Sequence, residues 1–453
     1  MTFRLIRGGR RDEPDQGLLI TGASEIATLS GGLRRGADQA EVAALTAPAT
    51  SIDQPGSLLV ATWGDRIVAA GRRDDVHRQL EAQGRRLDAF AAIDADGGTV
   101  TPGLVDPHTH LLFAGSREGE LVLRQRGASY LEILGSGGGI LSTVAQTREA
   151  GDELLLAHGR RWLNEMLAHG TTTIEAKSGY GLDRVTEIRL LEVAHRLGTQ
   201  GPVDVLPTFL GAHAVPPEFA SQPDGTEAYV RDVIEVQLPA VAARGRARFC
   251  DVFCEQGVFT ADQSRRILTA GRARGLEPRL HADELAPSGG AELAAELGAL
   301  SADHLAAPSD AGVDALAAAA ETERPVVAVL LPVTTWFLMK DHSAPARRFI
   351  ERGIPVAIGT DFNPGTSPTA SLTLAMTAAC LELAMTPSEA LAATTVNAAH
   401  ALGVADSVGS IEPGKVADLT IWRVPTHAQI PYWPAADLVS RVVKRGRVVL
   451  DRT

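Results

Sequence analysis

Eight apolar segments of strand length, each followed by a stretch long enough for a helix, restrict the possible folds of this chain more than any other feature. They lie at residues 100–110, 171–176, 203–210, 248–253, 278–281, 301–305, 326–331 and 355–359. Strands that alternate with helices build parallel sheets, and eight such units can close into a barrel. The sequence therefore predicts an α/β fold with a (β/α)8 TIM-like barrel over residues 103–411.

The two ends of the chain have a different pattern. Short β-like runs such as L-L-V-A-T-W and R-I-V-A-A-G alternate with turn residues before residue 100, and L-T-I-W and R-V-V-K-R-G-R-V-V-L follow the last helical segment. Runs of this kind separated by turn signals are typical of antiparallel sheets. We expect residues 1–102 and 412–453 to form one small β-sandwich beside the barrel.

Composition and charge narrow the function classes. The 453 residues carry a net charge of −12 without a block of like charge, which argues against a nucleic acid or an acidic membrane as partner. The longest apolar stretch, 325–339, is too short to cross a membrane. Three cysteines and no apolar segment of signal-peptide length at the start favour a reducing compartment. We expect a cytoplasmic protein with a small-molecule substrate, and leave homodimer formation open.

The sequence D-P-H-T-H ends the first predicted barrel strand and contains His108 and His110. Residues i and i+2 of an extended strand project to the same face, so both imidazoles can bind one metal ion. A His-X-His pair also occurs by chance on surface strands. Here it follows Leu104 and Val105 in a segment that reads as buried, where unpartnered imidazoles would be costly, and this position favours a ligand pair.

Other polar side chains fall where further barrel strands end, which is where catalytic groups lie in this fold. His281 closes the fifth predicted strand and Asp361 follows the eighth. Three imidazoles and one carboxylate suit one zinc or ferrous ion, with a position left for water. More polar residues follow strand ends: Lys177, Tyr180, His213, Glu255, Glu284, His304 and Asn363. Any one of them could be structural, but their joint register indicates an active site.

With these residues the sequence resembles the amidohydrolase superfamily, whose members combine a barrel, a β-sandwich and a His-X-His, His, His, Asp set. The strings L-V-D-P-H-T-H-L-L-F-A-G-S-R-E-G-E, I-E-A-K-S-G-Y-G-L, F-L-G-A-H-A-V-P, H-A-D-E and G-T-D-F-N-P-G are similar to a branch that opens a cyclic amide in histidine degradation. The resemblance implies hydrolysis of 4-imidazolone-5-propanoate to N-formimidoyl-L-glutamate. It implies that His108, His110, His281 and Asp361 bind the metal.

The resemblance also implies catalytic positions at Glu284 and His304. A bound zinc-type ion lowers the pKa of water from about 15.7 to about 7. We expect Glu284 to move a proton from that water to the leaving nitrogen, His304 to stabilise the oxyanion, and Asp361 to share in proton transfer. As structural alternatives, Glu284 would be a helix-start carboxylate and His304 a buried ring bonded to Asp303.

Recognition of a propionate group calls for a guanidinium, because its planar fork donates two charge-assisted hydrogen bonds to a carboxylate. Arg117, in the first loop after a barrel strand, is the candidate, with a surface salt bridge to Glu118 or Glu120 as the structural alternative. The resemblance adds further substrate contacts: Tyr180, His213, Asn363, Gly365 and Thr366.

Two other functions remain open on the sequence. A metal-dependent aminohydrolase acting on an exocyclic amine would use the same residues but release ammonia. A non-catalytic scaffold would be expected to lack metal ligands, and all four are present. The segment F-C-D-V-F-C-E-Q-G at the fourth strand has no lysine of the kind that bridges two ions in binuclear relatives. We therefore expect one metal ion, zinc or iron, per chain.

Overall fold

The protein, analysed as a computed structural model, is described for residues 17–47 and 57–453. The first sixteen residues, on which the expectation about a signal peptide rests, lie outside the described residues. The strands are β1 (Gly17–Thr21), β2 (Glu25–Ala27), β3 (Ala44–Thr46), β4 (Leu58–Trp63), β5 (Arg66–Arg72), β6 (Phe90–Asp94), β7 (Thr99–Pro102), β8 (Leu104–Asp106), β9 (Thr171–Lys177), β10 (Asp204–Ala212), β11 (Phe249–Cys254), β12 (Glu277–Ala282), β13 (Ser301–His304), β14 (Val327–Leu330), β15 (Val356–Ile358), β16 (Leu419–Trp422), β17 (Val439–Lys444) and β18 (Arg447–Asp451).

The helices are α1 (Arg73–Ala82), α2 (Gly119–Gln125), α3 (Tyr130–Gly135), α4 (Gly139–Glu149), α5 (Asp152–Ala168), α6 (Arg184–Gln200), α7 (Pro217–Ala220), α8 (Gly225–Asp232), α9 (Leu238–Arg244), α10 (Ala261–Arg272), α11 (Gly290–Leu297), α12 (Asp310–Ala320), α13 (Pro332–Phe337), α14 (Ala346–Glu351), α15 (Leu372–Glu382), α16 (Pro387–Ala393) and α17 (Val396–Ala401). The apolar faces of amphipathic helices pack against the core; α5, for example, buries Leu155, Leu163 and Met166. Within the described ranges, none of the helices combines the length and apolarity needed to span a bilayer.

Eight parallel strands, β8 to β15, follow one another in sequence order in a single sheet, which confirms the predicted barrel. The sheet closes just beyond the carboxyl ends of β8 and β15, where Thr109 and Phe362 form a parallel bridge. The His110 N–H donates to the Phe362 carbonyl at 2.9 Å, and the Asp361 N–H donates to the His108 carbonyl at 3.0 Å. We call this junction the seam; it joins three of the predicted metal ligands.

A buried carboxylate also holds the seam. Asp106, the last residue of β8, accepts hydrogen bonds from the Thr360 N–H at 3.1 Å and the Thr360 hydroxyl at 2.5 Å. Burial raises the pKa of Asp106 to about 7. The first and last barrel strands are thus connected by side-chain as well as backbone hydrogen bonds.

The predicted strand at 100–110 is wrong as a single element. The chain changes sheets at Gly103, so β7 lies in the sandwich and only β8 lies in the barrel. A Cβ on Gly103 would stand 2.3 Å from Thr172 Oγ1, so only glycine lets the backbone pass this close to β9. His108 and His110 follow β8 in extended but irregular chain, where the barrel opens.

Two further sheets form the sandwich. One contains strands from both ends of the chain, in the order β18-β17-β16-β7-β2-β3, as the sequence predicts; the other, β5-β4-β1-β6, contains only strands from the first hundred residues. Apolar residues of the two sheets pack in one buried cluster that includes Ile20, Val60, Val100 and Leu419. The exact domain boundaries, at 102/103 and 411/412, stay a prediction.

Candidate metal centre and active site

Four side chains converge at the mouth of the barrel: His108, His110, His281 and Asp361. Asp361 Oδ1 lies 3.5 Å from Nε2 of both His108 and His110. Nε2 of His110 lies 3.3 Å from Nε2 of His281, and ring nitrogens of His108 and His281 lie within 4.8 Å of each other. All four residues are buried. The structure therefore brings the sequence-predicted ligand set together.

The donor atoms fit a cation. His108 Nε2 is buried without a hydrogen-bond partner among the described residues, and unpaired buried polar atoms are costly. Burial, with like charge from neighbouring residues, holds the pKa of His108 and His110 well below the usual range. Both rings are therefore neutral, which is the form that binds metal. Three imidazoles and a carboxylate suit a zinc-type ion.

Carboxylates orient two of these rings. Asp303 Oδ2 accepts a hydrogen bond from His108 Nδ1 at 2.7 Å, and Asp251 Oδ1 accepts one from His281 Nδ1 at 3.1 Å. A carboxylate on Nδ1 fixes the tautomer that leaves Nε2 as the ligand atom. Sequence reasoning missed Asp251 and Asp303. For Asp251 a signal was present, because it is the one charged residue in the apolar strand β11.

Asp361 is held in a left-handed backbone conformation, with φ of +52°, directly after the seam. The Thr334 hydroxyl donates to Asp361 Oδ2 at 2.7 Å, so Oδ1 remains directed to the histidines. Burial raises the pKa of Asp361 to about 6.

Glu284 and His304 lie beside the ligand cluster, with Glu284 Oε2 3.7 Å from His304 Nε2. Burial, and then the charge of Asp361, raises the pKa of Glu284 to about 8, while burial lowers the pKa of His304. A buried acid with a pKa near neutrality beside a neutral imidazole is typical of an acid–base pair.

Both structural alternatives for this pair are wrong. The turn before α11 is capped by Asp283, which accepts hydrogen bonds from the Ser288, Gly290 and Ala291 N–H groups, and not by Glu284. The ring bonded to Asp303 belongs to His108. His304 Nε2 is buried without a hydrogen-bond partner in the described part of the chain, and its φ of +73° is strained for a non-glycine residue.

Arg117 is buried and forms a bidentate ion pair with Glu120, at 3.0 and 2.9 Å. The predicted alternative of a salt bridge to Glu120 is therefore present, but it is internal rather than on the surface. A Cβ on Gly365 would stand 2.1 Å from Arg117 Cζ, so the guanidinium packs against the glycine. Arg124 donates to the Gly365 carbonyl at 2.9 Å. Gly365 thus contacts the arginine that was predicted to read the substrate.

The remaining residues that were predicted to contact the substrate lie around the proposed metal ligands. The His213 ring stacks on His110, with centroids 4.9 Å apart, and Tyr180 lies 5.7 Å from the same ring. Burial lowers the pKa of His213 to about 3. Asn363 Oδ1 accepts from the N–H groups of Gly365 and Thr366, so this side chain shapes its own turn.

Most of these residues line one cleft at the mouth of the barrel. Its walls include His110, Arg117, Ile140, Tyr180, His213, Phe253, His281, Glu284, His304, Asp361, Asn363 and Thr366. The proposed metal-binding residues lie in one part of the wall and Arg117 lies in another. One bound small molecule can therefore contact both.

Comparison with known proteins agrees with the fold and shows the family. Residues 280–449 match the family described as "Amidohydrolase family". The chain is 53% identical over 394 residues to the imidazolonepropionase of Geobacillus thermodenitrificans (strain NG80-2), covering 86% of this chain and 90% of that protein. It is 48% identical over 433 residues to the imidazolonepropionase of Geobacillus sp. (strain WCH70), covering 96% of this chain and 98% of that protein.

Solved structures share the architecture at low sequence identity. A variant of the atrazine chlorohydrolase TrzN from Arthrobacter aurescens TC1, complexed with zinc and atraton, superposes with a TM-score of 0.68 at 16% identity, over 96% of this chain and 95% of that chain. An adenosine deaminase from Xanthomonas campestris with bound zinc gives 0.64 at 19% identity, over 95% and 92%. At these identities the likeness shows the fold alone.

Proposed function

We propose, from the premise that this chain belongs to the imidazolonepropionase family, that its cleft hydrolyses the cyclic amide of 4-imidazolone-5-propanoate to N-formimidoyl-L-glutamate in histidine degradation. The observation that carries the proposal is one cleft lined by three of the four proposed metal ligands together with Glu284 and Arg117. Each of the three functions that the reaction needs, an activated water, a proton carrier and a carboxylate anchor, has a candidate there.

We assign metal binding to His108, His110, His281 and Asp361, one ion of zinc or iron type per chain. When bound, such an ion supplies a water of lowered pKa and polarises a carbonyl oxygen. The neutral imidazoles and the Thr334 hydrogen bond on Asp361 support this assignment.

Glu284 is the proposed proton carrier. Hydrolysis adds the water oxygen to the amide carbonyl carbon, breaks the ring C–N bond and puts a proton on the departing nitrogen. A base must take that proton from water and return it as an acid, which works best when its pKa is near the operating pH. The pKa of about 8 meets this condition.

His304 is assigned to the carbonyl oxygen. A neutral imidazole can donate one N–H, and His304 Nε2 has no hydrogen-bond partner among the described residues to compete for it. A donor aimed at the oxygen stabilises the charge that develops there as the water adds. Asp361, which lines the same cleft as Glu284, is assigned a share in the proton movement.

Arg117 is assigned to the propionate carboxylate, with Glu120 fixing the guanidinium from the other side. Tyr180 and His213 would border the ring of the substrate. Asn363, Gly365 and Thr366 would form the wall beside Arg117: the first by shaping the turn, the second by contact with the guanidinium.

Incubation of the purified protein with 4-imidazolone-5-propanoate tests the proposal. We expect loss of the ring absorbance and equimolar N-formimidoyl-L-glutamate, abolished by chelation and restored by zinc. His110→Ala should lower metal occupancy and turnover together. Release of ammonia instead would support the aminohydrolase alternative, and no turnover of this substrate by the metal-loaded protein would contradict the proposal.

We further propose that the enzyme works in the cytoplasm. The structure contains three cysteines without disulfide bonds, two of them buried in β11, which is compatible with a reducing compartment. Formation of a homodimer stays a prediction.

A further inference from the structure

Five charged side chains fill the barrel interior next to the proposed metal ligands, and we call them the charged layer. They are Glu175 and Lys177 from β9, Asp251 from β11, Arg279 from β12 and Asp303 from β13, and all are fully buried. The interior of such barrels is usually filled by branched apolar residues. Apolar residues often give equal or greater stability than buried ions, so stability alone does not account for this layer.

The layer contacts the side chains of two ligands. Asp303 accepts from His108 Nδ1 at 2.7 Å. Asp251 Oδ1 accepts from both Nδ1 and the backbone N–H of His281, each at 3.1 Å. Two of the three ligand rings are thereby held in one orientation.

The layer also contacts the backbone on both sides of His108. Glu175 Oε2 accepts from the Thr109 N–H at 3.1 Å, and Arg279 donates to the Pro107 carbonyl at 2.7 Å. The His-X-His segment has no strand ladder of its own beyond the single bridge at Thr109. These side-chain hydrogen bonds therefore help to fix its course.

Lys177 connects the carboxylates of the layer. Its Nζ lies 2.7 Å from Asp251 Oδ2, 3.0 Å from Glu175 Oε1 and 3.8 Å from Asp303 Oδ2. Arg279 reaches Asp303 at 3.0 Å. One ammonium group thus offsets the mutual repulsion of three carboxylates that each hold a different part of the metal site.

We propose that the charged layer positions the metal ligands and that Lys177 is the residue on which its arrangement depends. The inference rests on the proposed function, because it concerns the same metal site. Lys177 does not contact the cleft; it acts through Asp251, Glu175 and Asp303. Its loss should therefore change how tightly and in what geometry a metal is bound, before any substrate is present.

The test compares two buried lysines in the full-length protein. Lys177→Met removes the layer's ammonium, and Lys444→Met removes another buried ammonium, which pairs with Asp204 and Asp418 away from the cleft. Metal-stripped proteins are titrated with zinc against a chromophoric chelator, and cobalt-loaded samples are compared by visible absorption. Both variants should unfold at lower temperature than the wild type.

Only Lys177→Met should weaken zinc binding, by about 10- to 100-fold, and alter the cobalt spectrum. Zinc affinity within twofold of the wild type, or equal weakening by Lys444→Met, would overturn the inference while leaving the proposed function intact. A wild-type protein that binds neither zinc nor ferrous iron would overturn both. If Lys177→Met does not fold, Asp303→Asn takes its place, and an unchanged zinc affinity and cobalt spectrum in that variant also contradicts the inference.

Discussion

The buried carboxyl group of Glu284 lowers the free energy of unfolding when it is ionised. Its pKa rises to about 8 because burial, and then Asp361, disfavour the charged form. An acid whose folded-state pKa exceeds its unfolded value of about 4.5 binds a proton on folding. Its contribution to stability is therefore fully present below pH 4.5 and is lost as the pH rises through 8.

We predict that Glu284→Gln stabilises the metal-free protein at pH 9 by a few kcal/mol, since a pKa difference of one unit corresponds to about 1.4 kcal/mol. Near pH 4.5 the variant and the wild type should be equally stable. Thermal unfolding of the metal-free proteins at both pH values measures the difference, with the exposed Glu149→Gln as control. A variant that is equally stable at pH 9 would show that Glu284 is hydrated.

Arg117 gives a prediction about binding. Arg117→Ala should cost roughly 1.5 to 3 kcal/mol in kcat/KM, the range for a hydrogen bond to a charged group, and less for an analogue without the carboxylate. Gly365→Ala should displace the guanidinium, because the added Cβ would meet Arg117 Cζ at 2.1 Å. We expect a raised KM with a small change in unfolding temperature. If Arg117→Ala lowered kcat/KM equally for the substrate and for the analogue without the carboxylate, Arg117 would have a role in the fold instead.

At the scale of elements, the barrel strands could be predicted because each is a short apolar run between helix-length segments, and the ligands because they end such runs. The split at Gly103 was not predicted, since apolar residues lie on both sides of it and the close approach to Thr172 is a tertiary contact. Three residues of the charged layer were missed for a related reason. Asp251, Arg279 and Asp303 lie inside strands, and which face points inward depends on how the sheet closes.

The role of the seam between β8 and β15 can be tested with one substitution that replaces a hydroxyl group by a methyl group. Thr360→Val removes the hydrogen bond to Asp106 and should destabilise the protein by about 1 to 3 kcal/mol, because a buried carboxyl group loses its donor. It should also weaken zinc binding, since Asp361 follows directly.

The matched control is Thr377→Val in α15, whose hydroxyl donates to the Pro431 carbonyl at 2.7 Å. Chemical unfolding and zinc titration of both variants give the comparison. We expect similar losses of stability but unchanged zinc affinity for Thr377→Val. Equal zinc affinity in the two variants would mean that the seam supports the barrel but not the site.

For the whole molecule we predict one metal ion per chain. Among the described residues, three triads of side chains are close enough to hold an ion: His108, His281 and His304; His110, His213 and His281; and His108, His110 and Asp361. His108, His110 and His281 each belong to two triads, so filling one triad removes ligands from the others. Lys177 is engaged in ion pairs, and Glu255 accepts from the Leu285 N–H at 2.8 Å. Elemental analysis of fully active enzyme should plateau near one equivalent. Two tightly held ions, both required for turnover, would refute this ligand set.

The seam also has a consequence for biosynthesis. Asp106 and Thr360 are 254 residues apart in the sequence. When the ribosome has released His108, His110 and His281 but not yet Asp361, the nascent chain contains only part of the proposed ligand set. Its barrel sheet is then still open. The final carboxylate arrives when the eighth strand docks against the first, and pairings so distant in sequence form late. The proposed set of four metal ligands is thus complete only when the barrel closes, and a nascent chain that ends before Asp361 lacks its carboxylate.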